Sequence, residues 1–402
     1  MRILVFAYAC EPGKGSEPEV GWLWSRMLAR IGDIWVITRA NNRPLVEEHL
    51  GGIPERDRMH FVFVDLPSRT RWWKRGQRGI RLYYLLWQLA ALREARRLHA
   101  DVGFDLAWHL TLANAWLGSV VPLLDVPFVY GPVGGGVTTP PTLLPSLGVR
   151  GLAYEAARRI ARGAGRHLNP LSRLAWSRAR LILVQSSPTR AWLPSSCRKR
   201  THVFPNVVLN GTGVGPSRGV PVQSRRALFA GRLLAWKGAT LAVRAMADLP
   251  EWTLDVAGSG PDERRLRHLA ARLGVEERVT FIGHVPHEEL LELMRRDMNV
   301  LVFPSLHEDA GWVVVEAFSC GLPVVCLDVG GPPELGARAV PVSTPGRTVA
   351  ALVEAIRQAE DAAPASVEPF SMDSREAKLR ALLDAAGLLA PATGEPAAAG
   401  TR

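Results

Sequence analysis

Apolar residues in this chain come in short unbroken runs rather than in strict alternation. The first, Ile3-Leu4-Val5-Phe6-Ala7-Tyr8, has the length of a strand and no polar partner positions, which predicts a strand buried on both faces. Runs at 34–38, 60–64, 105–110, 127–130, 181–184 and 203–207 predict further strands. Between them lie helical spacings at 20–30, 79–100, 151–166 and 171–180. The pattern then restarts. Strands are expected at 227–230, 252–257, 279–284, 298–303 and 323–328, and helices over 239–249, 312–320, 350–358 and 371–389. Strands alternating with helices predict α/β domains built on parallel sheets. The segmentation is 1–210 for a first body, 211–224 for a Gly-, Pro- and Ser-rich linker and 225–368 for a second body. A closing helix at 369–389 and a disordered Ala/Gly/Pro-rich tail at 390–402 complete it.

A length of 402 residues suits two domains. Charge separates them. Residues 1–200 hold 29 Lys and Arg against 14 Asp and Glu, a net of +15; residues 201–402 hold 20 against 24, a net of −4. A basic half attracts nucleic acid or an anionic membrane, and no nucleic-acid reader motif is present. No apolar run is long enough to span a bilayer, and the candidate at 113–130 is broken by Pro122, Asp125 and Pro127. No leader is read before the first strand. Cys10, Cys197, Cys320 and Cys326 lack metal-ligand spacing and read as buried thiols of a reducing cytosol.

Candidate chemistry sits in loops after strands. Gly13-Lys14-Gly15 follows the first strand and precedes a helix, a frame that can hold a phosphate or sugar on backbone amides. Alone, such a loop is as readily a tight turn. Arg232 and Lys237 bracket another strand-to-helix loop and can reach one anion together. Glu308 lies in a loop after a strand and Glu316 near the start of the next helix, where open α/β sheets bind ligands. His109 ends the strand at 105–110.

The stretch 298–334 resembles the E-x7-E region of retaining GT-B glycosyltransferases of family 4. The residues that carry it are Pro304, Ser305, Glu308, Gly311, Glu316, Ala317, Gly321, Pro323, Val324, Gly330, Gly331 and Glu334. Gly231-Arg232 with Lys237-Gly238 resembles the family's diphosphate clamp. Gly258-Ser259-Gly260-Pro261 resembles its G-x-G-P turn. Cys10-Glu11-Pro12, Gly15-Ser16-Glu17 and Gly21-Trp22 resemble the amino-terminal loop of one subgroup.

The resemblance covers residues 1–389 and implies a GT-B fold, two facing Rossmann-like doubly wound domains with the active site in the cleft between them. It implies a cytoplasmic, metal-independent enzyme without a cofactor, which transfers a sugar from a nucleotide-sugar donor to a glycan or lipid-linked acceptor with retention. Polysaccharide or glycolipid synthesis is the implied setting. Residue by residue, it assigns the diphosphate to Arg232 and Lys237 and the ribose to Glu316. The sugar hydroxyls fall to Glu308 and the amides near Gly311 and Trp312. The nucleobase edge is that of Ile282, with Gly13, Gly15 and Gly258 close to the donor, and His109 beside the sugar as a catalytic group with Glu308. One departure from the family pattern, Asp309-Ala310-Gly311-Trp312, puts Trp312 where it either narrows the sugar pocket or reshapes the loop.

The stretch from Arg69 to Trp87 combines Arg, Lys and Trp with a helical row of Ile80, Tyr83, Tyr84 and Trp87. It reads equally as an anionic-membrane surface, which would put the protein at the inner face of the cell membrane, or as a core helix with a solvated basic flank. A nucleotide-sugar epimerase and a non-catalytic membrane-docked scaffold on the same fold are the rival functions.

Overall fold

The computed structural model describes residues 1–67, 69, 79–210, 225–359 and 362–389. The linker at 211–224, the tail from 390 and most of the basic segment at 70–78 lie outside them.

The first domain holds seven parallel strands: β1 Arg2–Phe6, β2 Asp33–Arg39, β3 Met59–Val64, β4 Leu106–His109, β5 Phe128–Val133, β6 Ala179–Val184 and β7 Thr201–Val203. Their order across the sheet is β3-β2-β1-β4-β5-β6-β7. β1 shows why the run is continuously apolar. Leu4 and Phe6 face one side, packing with Tyr84 and Trp87 of helix α3, Ile80–Val102. Ile3 and Val5 face the other, packing with Trp22, Trp24 and Leu28 of α1, Ser16–Ala29. Both faces are covered, so neither tolerates polar residues. Tyr83, Tyr84 and Trp87 are all buried, so the aromatic row of α3 belongs to the core rather than to a membrane surface.

The second domain repeats the design with six parallel strands: β8 Arg225–Ala230, β9 Trp252–Ala257, β10 Val279–Gly283, β11 Val300–Phe303, β12 Val324–Leu327 and β13 Arg338–Val340, ordered β10-β9-β8-β11-β12-β13. Ala227 and Phe229 face one core layer and Leu228 and Ala230 the other. The helices that matter below are α4 Gly148–His167, α5 Pro170–Arg178, α7 Ala239–Ala245, α9 His287–Arg296, α10 Trp312–Ser319, α11 Pro345–Ala359 and α12 Met372–Ala385.

Two connections bind the domains. Helix α12 is capped by Ser371, whose side chain accepts from the Ser374 amide, and it crosses back to pack Leu379 and Leu383 into the α1 layer. Arg30 on the α1 cap meets Asp373 at 2.7 Å and Glu376 at 3.4 Å. In the other direction, Val137, Leu143 and Leu147 leave the first domain and enter the core of the second. The sheets therefore face each other with fixed spacing, and the loops at their carboxyl ends meet.

Candidate active site

The site begins with two backbone close approaches. After β8 a single 3-10 turn carries Ala235, Trp236 and Lys237, and Gly238 ends it at φ 77°. A Cβ on Gly238 would run into the Pro304 carbonyl at the end of β11, so only glycine lets the two loops touch. The Leu306 amide then donates to the Trp236 carbonyl at 2.8 Å. This zipper brings Lys237 to Glu308, and the two form an ion pair with side chains 24% and 19% exposed. Behind Glu308, Gly330 and Gly331 pack directly on the Glu308 and Asp309 carbonyls, and the Gly331 amide donates to Glu308 at 3.0 Å. The paired glycines of the motif are thus a backstop for the glutamate loop.

Asp309 reaches across the cleft. Its Oδ2 accepts from the Gly135 amide at 2.7 Å and its Oδ1 from the Thr189 hydroxyl at 2.5 Å, both in the first domain. Burial pushes its pKa up, while these two donors oppose the shift. Glu334 makes a second crossing, accepting from the Ser187 amide at 2.9 Å. A third is aromatic. Tyr154 of α4 stacks on Trp236 at 4.3 Å between ring centres, and Trp236 on His307 at 5.5 Å. Burial, with Arg158 and Lys237 nearby, lowers the His307 pKa to about 2, so the ring is neutral.

Glu316 is 9% exposed on α10 and bonds His287 Nε2 of α9 at 2.9 Å. That bond raises the His287 pKa, and Glu19 of α1 adds to the shift. Glu19 stands at the amino-terminal glycine loop. Burial raises its pKa, and the amides of Gly13, Lys14 and Gly15 pull it back. The loop amides therefore already face a carboxylate from their own chain. His287 lies against Gly15, so Glu19, His287 and Glu316 form a line between the domains.

The structure does not bring every expected residue to the cavity. His109 is 1% exposed. Its Nδ1 lies 2.6 Å from the Ser119 hydroxyl and its Nε2 2.6 Å from the Tyr84 hydroxyl. Burial lowers its pKa to about 3. His109 does not line the cavity: Tyr84 does, and His109 sits behind it. Trp312 does not narrow the pocket either. It packs against the α1 layer and donates to Asn206 of the first domain at 3.2 Å. Gly258 lets the end of β9 approach the Gly231 carbonyl, a packing role. Arg232 is exposed at the loop entrance, Ile282 is 38% exposed at the end of β10, and Gly311 precedes α10 with φ 93°.

Lys237, Glu308, Asp309, Trp236 and His307 line one wall of a cavity of about 490 Å³; Glu17, Tyr84, Asn114, Trp116, Gly135 and Arg158 line the other. Among the described residues no group of three or more His, Cys, Asp or Glu is placed to hold a metal ion. The sequence alone gave no sign of Asp309, His287 or Tyr84 as site residues; the first stood only as a departure from a motif.

The family model for glycosyl transferases group 1 matches residues 216–370. The 2-deoxystreptamine glucosyltransferase of Streptomyces kanamyceticus is 33% identical over 160 residues, 38% of this chain and 40% of that protein. The D-inositol 3-phosphate glycosyltransferase of Mycobacterium bovis is 40% identical over 121 residues, 29% of this chain and 25% of that protein. The matches thus span less than half of these relatives. Among solved structures, Anabaena HepE in complex with UDP and glucose superposes with a TM-score of 0.58 at 19% identity, covering 96% of this chain and 100% of that one. The lipopolysaccharide outer core galactosyltransferase WaaB superposes at 0.61 and 15%, covering 96% and 99%. The fold is GT-B, and residues 216–370 match the model of the glycosyl transferases group 1.

Proposed function

We propose that this protein is a retaining glycosyltransferase that moves a sugar from a nucleoside diphosphate donor to an acceptor hydroxyl. The observation that carries the reading is the meeting of Lys237 and Glu308 inside an interdomain cavity, at the carboxyl ends of two facing sheets. Arg232 and Lys237 take the departing diphosphate, whose negative charge grows as the bond to the sugar breaks. Glu308 accepts from sugar hydroxyls and Glu316 from the ribose. The acceptor oxygen bonds to the anomeric carbon on the face the phosphate leaves, and the acceptor proton passes to the leaving phosphate oxygen. Neutralising the diphosphate falls to the two cations, so the reading asks for no metal and no cofactor.

HepE, bound to UDP and glucose, makes UDP-sugars the first donors to try. The two sequence relatives are named for acting on 2-deoxystreptamine and inositol 3-phosphate, and WaaB for lipopolysaccharide. A glycan or lipid-linked polyol acceptor at the cytoplasmic side, in polysaccharide or glycolipid synthesis, fits that range.

Thermal melting with UDP, GDP and ADP tests the donor reading. A ligand at a hundred times its Kd stabilises by about 2.7 kcal/mol. The expected result is a shift with one nucleotide in the wild type and none in Lys237→Ala. No shift with any of them would remove the basis of the proposal.

A further inference from the structure

The chain leaves the first domain and returns to it at one place. The Leu209 amide, on the way out, donates to the Phe370 carbonyl of the returning segment at 2.7 Å. Beside this junction lies a cavity of about 570 Å³. The first domain contributes Ser187 and Pro205 to its wall, the second Glu334, and the start of α12 Ser374, Arg375 and Lys378. It shares no lining residue with the catalytic cavity.

Arg375 is a buried cation without a counter-ion. It is 2% exposed. Its guanidinium lies 3.5 Å from the Phe204 ring centre, and Nη2 donates to the Pro205 carbonyl. Its Nε is buried with no hydrogen-bond partner. No carboxylate among the described residues acts on it, so burial is unopposed and lowers its pKa to about 9. Lys378 stands at i+3 on the same face of α12, 5.7 Å from the same ring. Burial and the nearby Arg375 lower its pKa too, again with no carboxylate opposing them. Glu334 on the facing wall is taken by the Ser187 amide, at 2.9 Å and 3.2 Å. Holding two like charges together at a buried wall is costly. The Phe204 ring and the Pro205 carbonyl offset part of that cost, and an anion would offset the rest.

We propose that this cavity binds a phosphate-class anion, either inorganic phosphate or the phosphate of a small ester, between Arg375 and Lys378. The guanidinium offers its unpaired N–H to a phosphate oxygen, and Lys378 adds a point charge at the rim. The volume is that of a small-molecule site, so an ester group fits beside the phosphate. The walls come from both domains and from the returning helix. A bound anion therefore favours the arrangement in which these walls stand together, which makes this a site for an effector rather than for a substrate.

The test is amine labelling of the full chain with an N-hydroxysuccinimide ester, read by mass spectrometry at Lys378 with exposed Lys199 as the internal reference. Inorganic phosphate and glucose 6-phosphate are titrated separately, against sodium chloride of matched ionic strength. Labelling of Lys378 should slow about tenfold at ten times the Kd, by mass action, while Lys199 stays constant. The arm that acts at the lower concentration identifies the source of the phosphate. Arg375→Met should remove the protection. Lys378→Met breaks no hydrogen bond or ion pair and so covers the case in which Arg375→Met does not fold. In a Lys237→Ala background, calorimetry should show phosphate binding weakened by roughly tenfold or more in Lys378→Met, the worth of a hydrogen bond to a charged group. Protection no greater than that by sodium chloride, protection that survives Arg375→Met, or binding unchanged in Lys378→Met overturns the proposal. The readout needs neither donor nor activity, so its failure leaves the transferase reading standing.

Discussion

Lys237 and Glu308 pair with each other across two loops, yet each is also a group a bound donor would need. A diphosphate that takes Lys237 frees the Glu308 carboxylate for sugar hydroxyls, so donor binding exchanges one partner for another. In a double-mutant cycle of Lys237→Met and Glu308→Gln on stability without ligand, a coupling of about 0.5–3 kcal/mol is expected, the range for residues in direct contact. Additive effects in chemical denaturation would mean the pair contributes nothing.

The glycine backstop gives a sharper prediction. Gly330 has φ 76°, and a Cβ there would drive into the Glu308 carbonyl. Gly330→Ala should displace the glutamate loop and weaken nucleotide binding measured by calorimetry. Gly346→Ala, in α11 with open space around it, should leave binding unchanged and alter stability by no more than about 1 kcal/mol in favour of the variant.

Three histidines give pH effects of opposite sign. His109 and His307 have folded pKa values lowered to about 3 and about 2, so the unfolded chain takes up protons first as pH falls below its ordinary value. Their contribution is present above about pH 6.5 and is lost on acidification, with a limiting slope of about 1.4 kcal/mol per pH unit for each. His287 is raised by its bond to Glu316, so its contribution is present at acid pH and lost as pH rises through the folded value. His109→Gln should flatten the acid side of a stability profile, and His287→Gln the alkaline side. The same slope in both variants would contradict the assignments.

Asp309 carries the cleft closure. Asp309→Ala leaves the Gly135 amide and the Thr189 hydroxyl without their acceptor and leaves Arg162 with Glu155 but without one of its two nearby carboxylates. A loss of about 1–3 kcal/mol is expected, the cost of stranding buried polar partners. A larger radius of gyration in solution scattering should accompany it. An unchanged radius would place the closure elsewhere, with Glu334 or the Tyr154 stack.

What could be read from the sequence was what depends on neighbours in the chain. β11, α10 and β12 stand close to where apolar runs and glycines put them, because a strand covered on both faces must be apolar throughout. The helix expected over 350–358 begins instead at Pro345, since a proline at a first helical position needs no amide partner. Contacts between remote segments left no local trace. The Tyr84 screen over His109 joins α3 to β4, and Asp309 joins residues 174 apart to Gly135. Periodicity marked an amphipathic α3 but could not say which way its aromatics turned.

The central claim is that the cavity binds and cleaves a nucleotide sugar through Lys237 and Glu308. The direct measurement is release of nucleoside diphosphate from UDP-glucose, and in parallel from other UDP-, GDP- and ADP-sugars. It would be followed by phosphate-detecting NMR for the wild type, Lys237→Ala and Glu308→Gln. The account predicts release from one donor class by the wild type, with both variants slower by about 10²-fold or more, as for removal of a group that stabilises developing charge. Release at equal rates in all three proteins would contradict it.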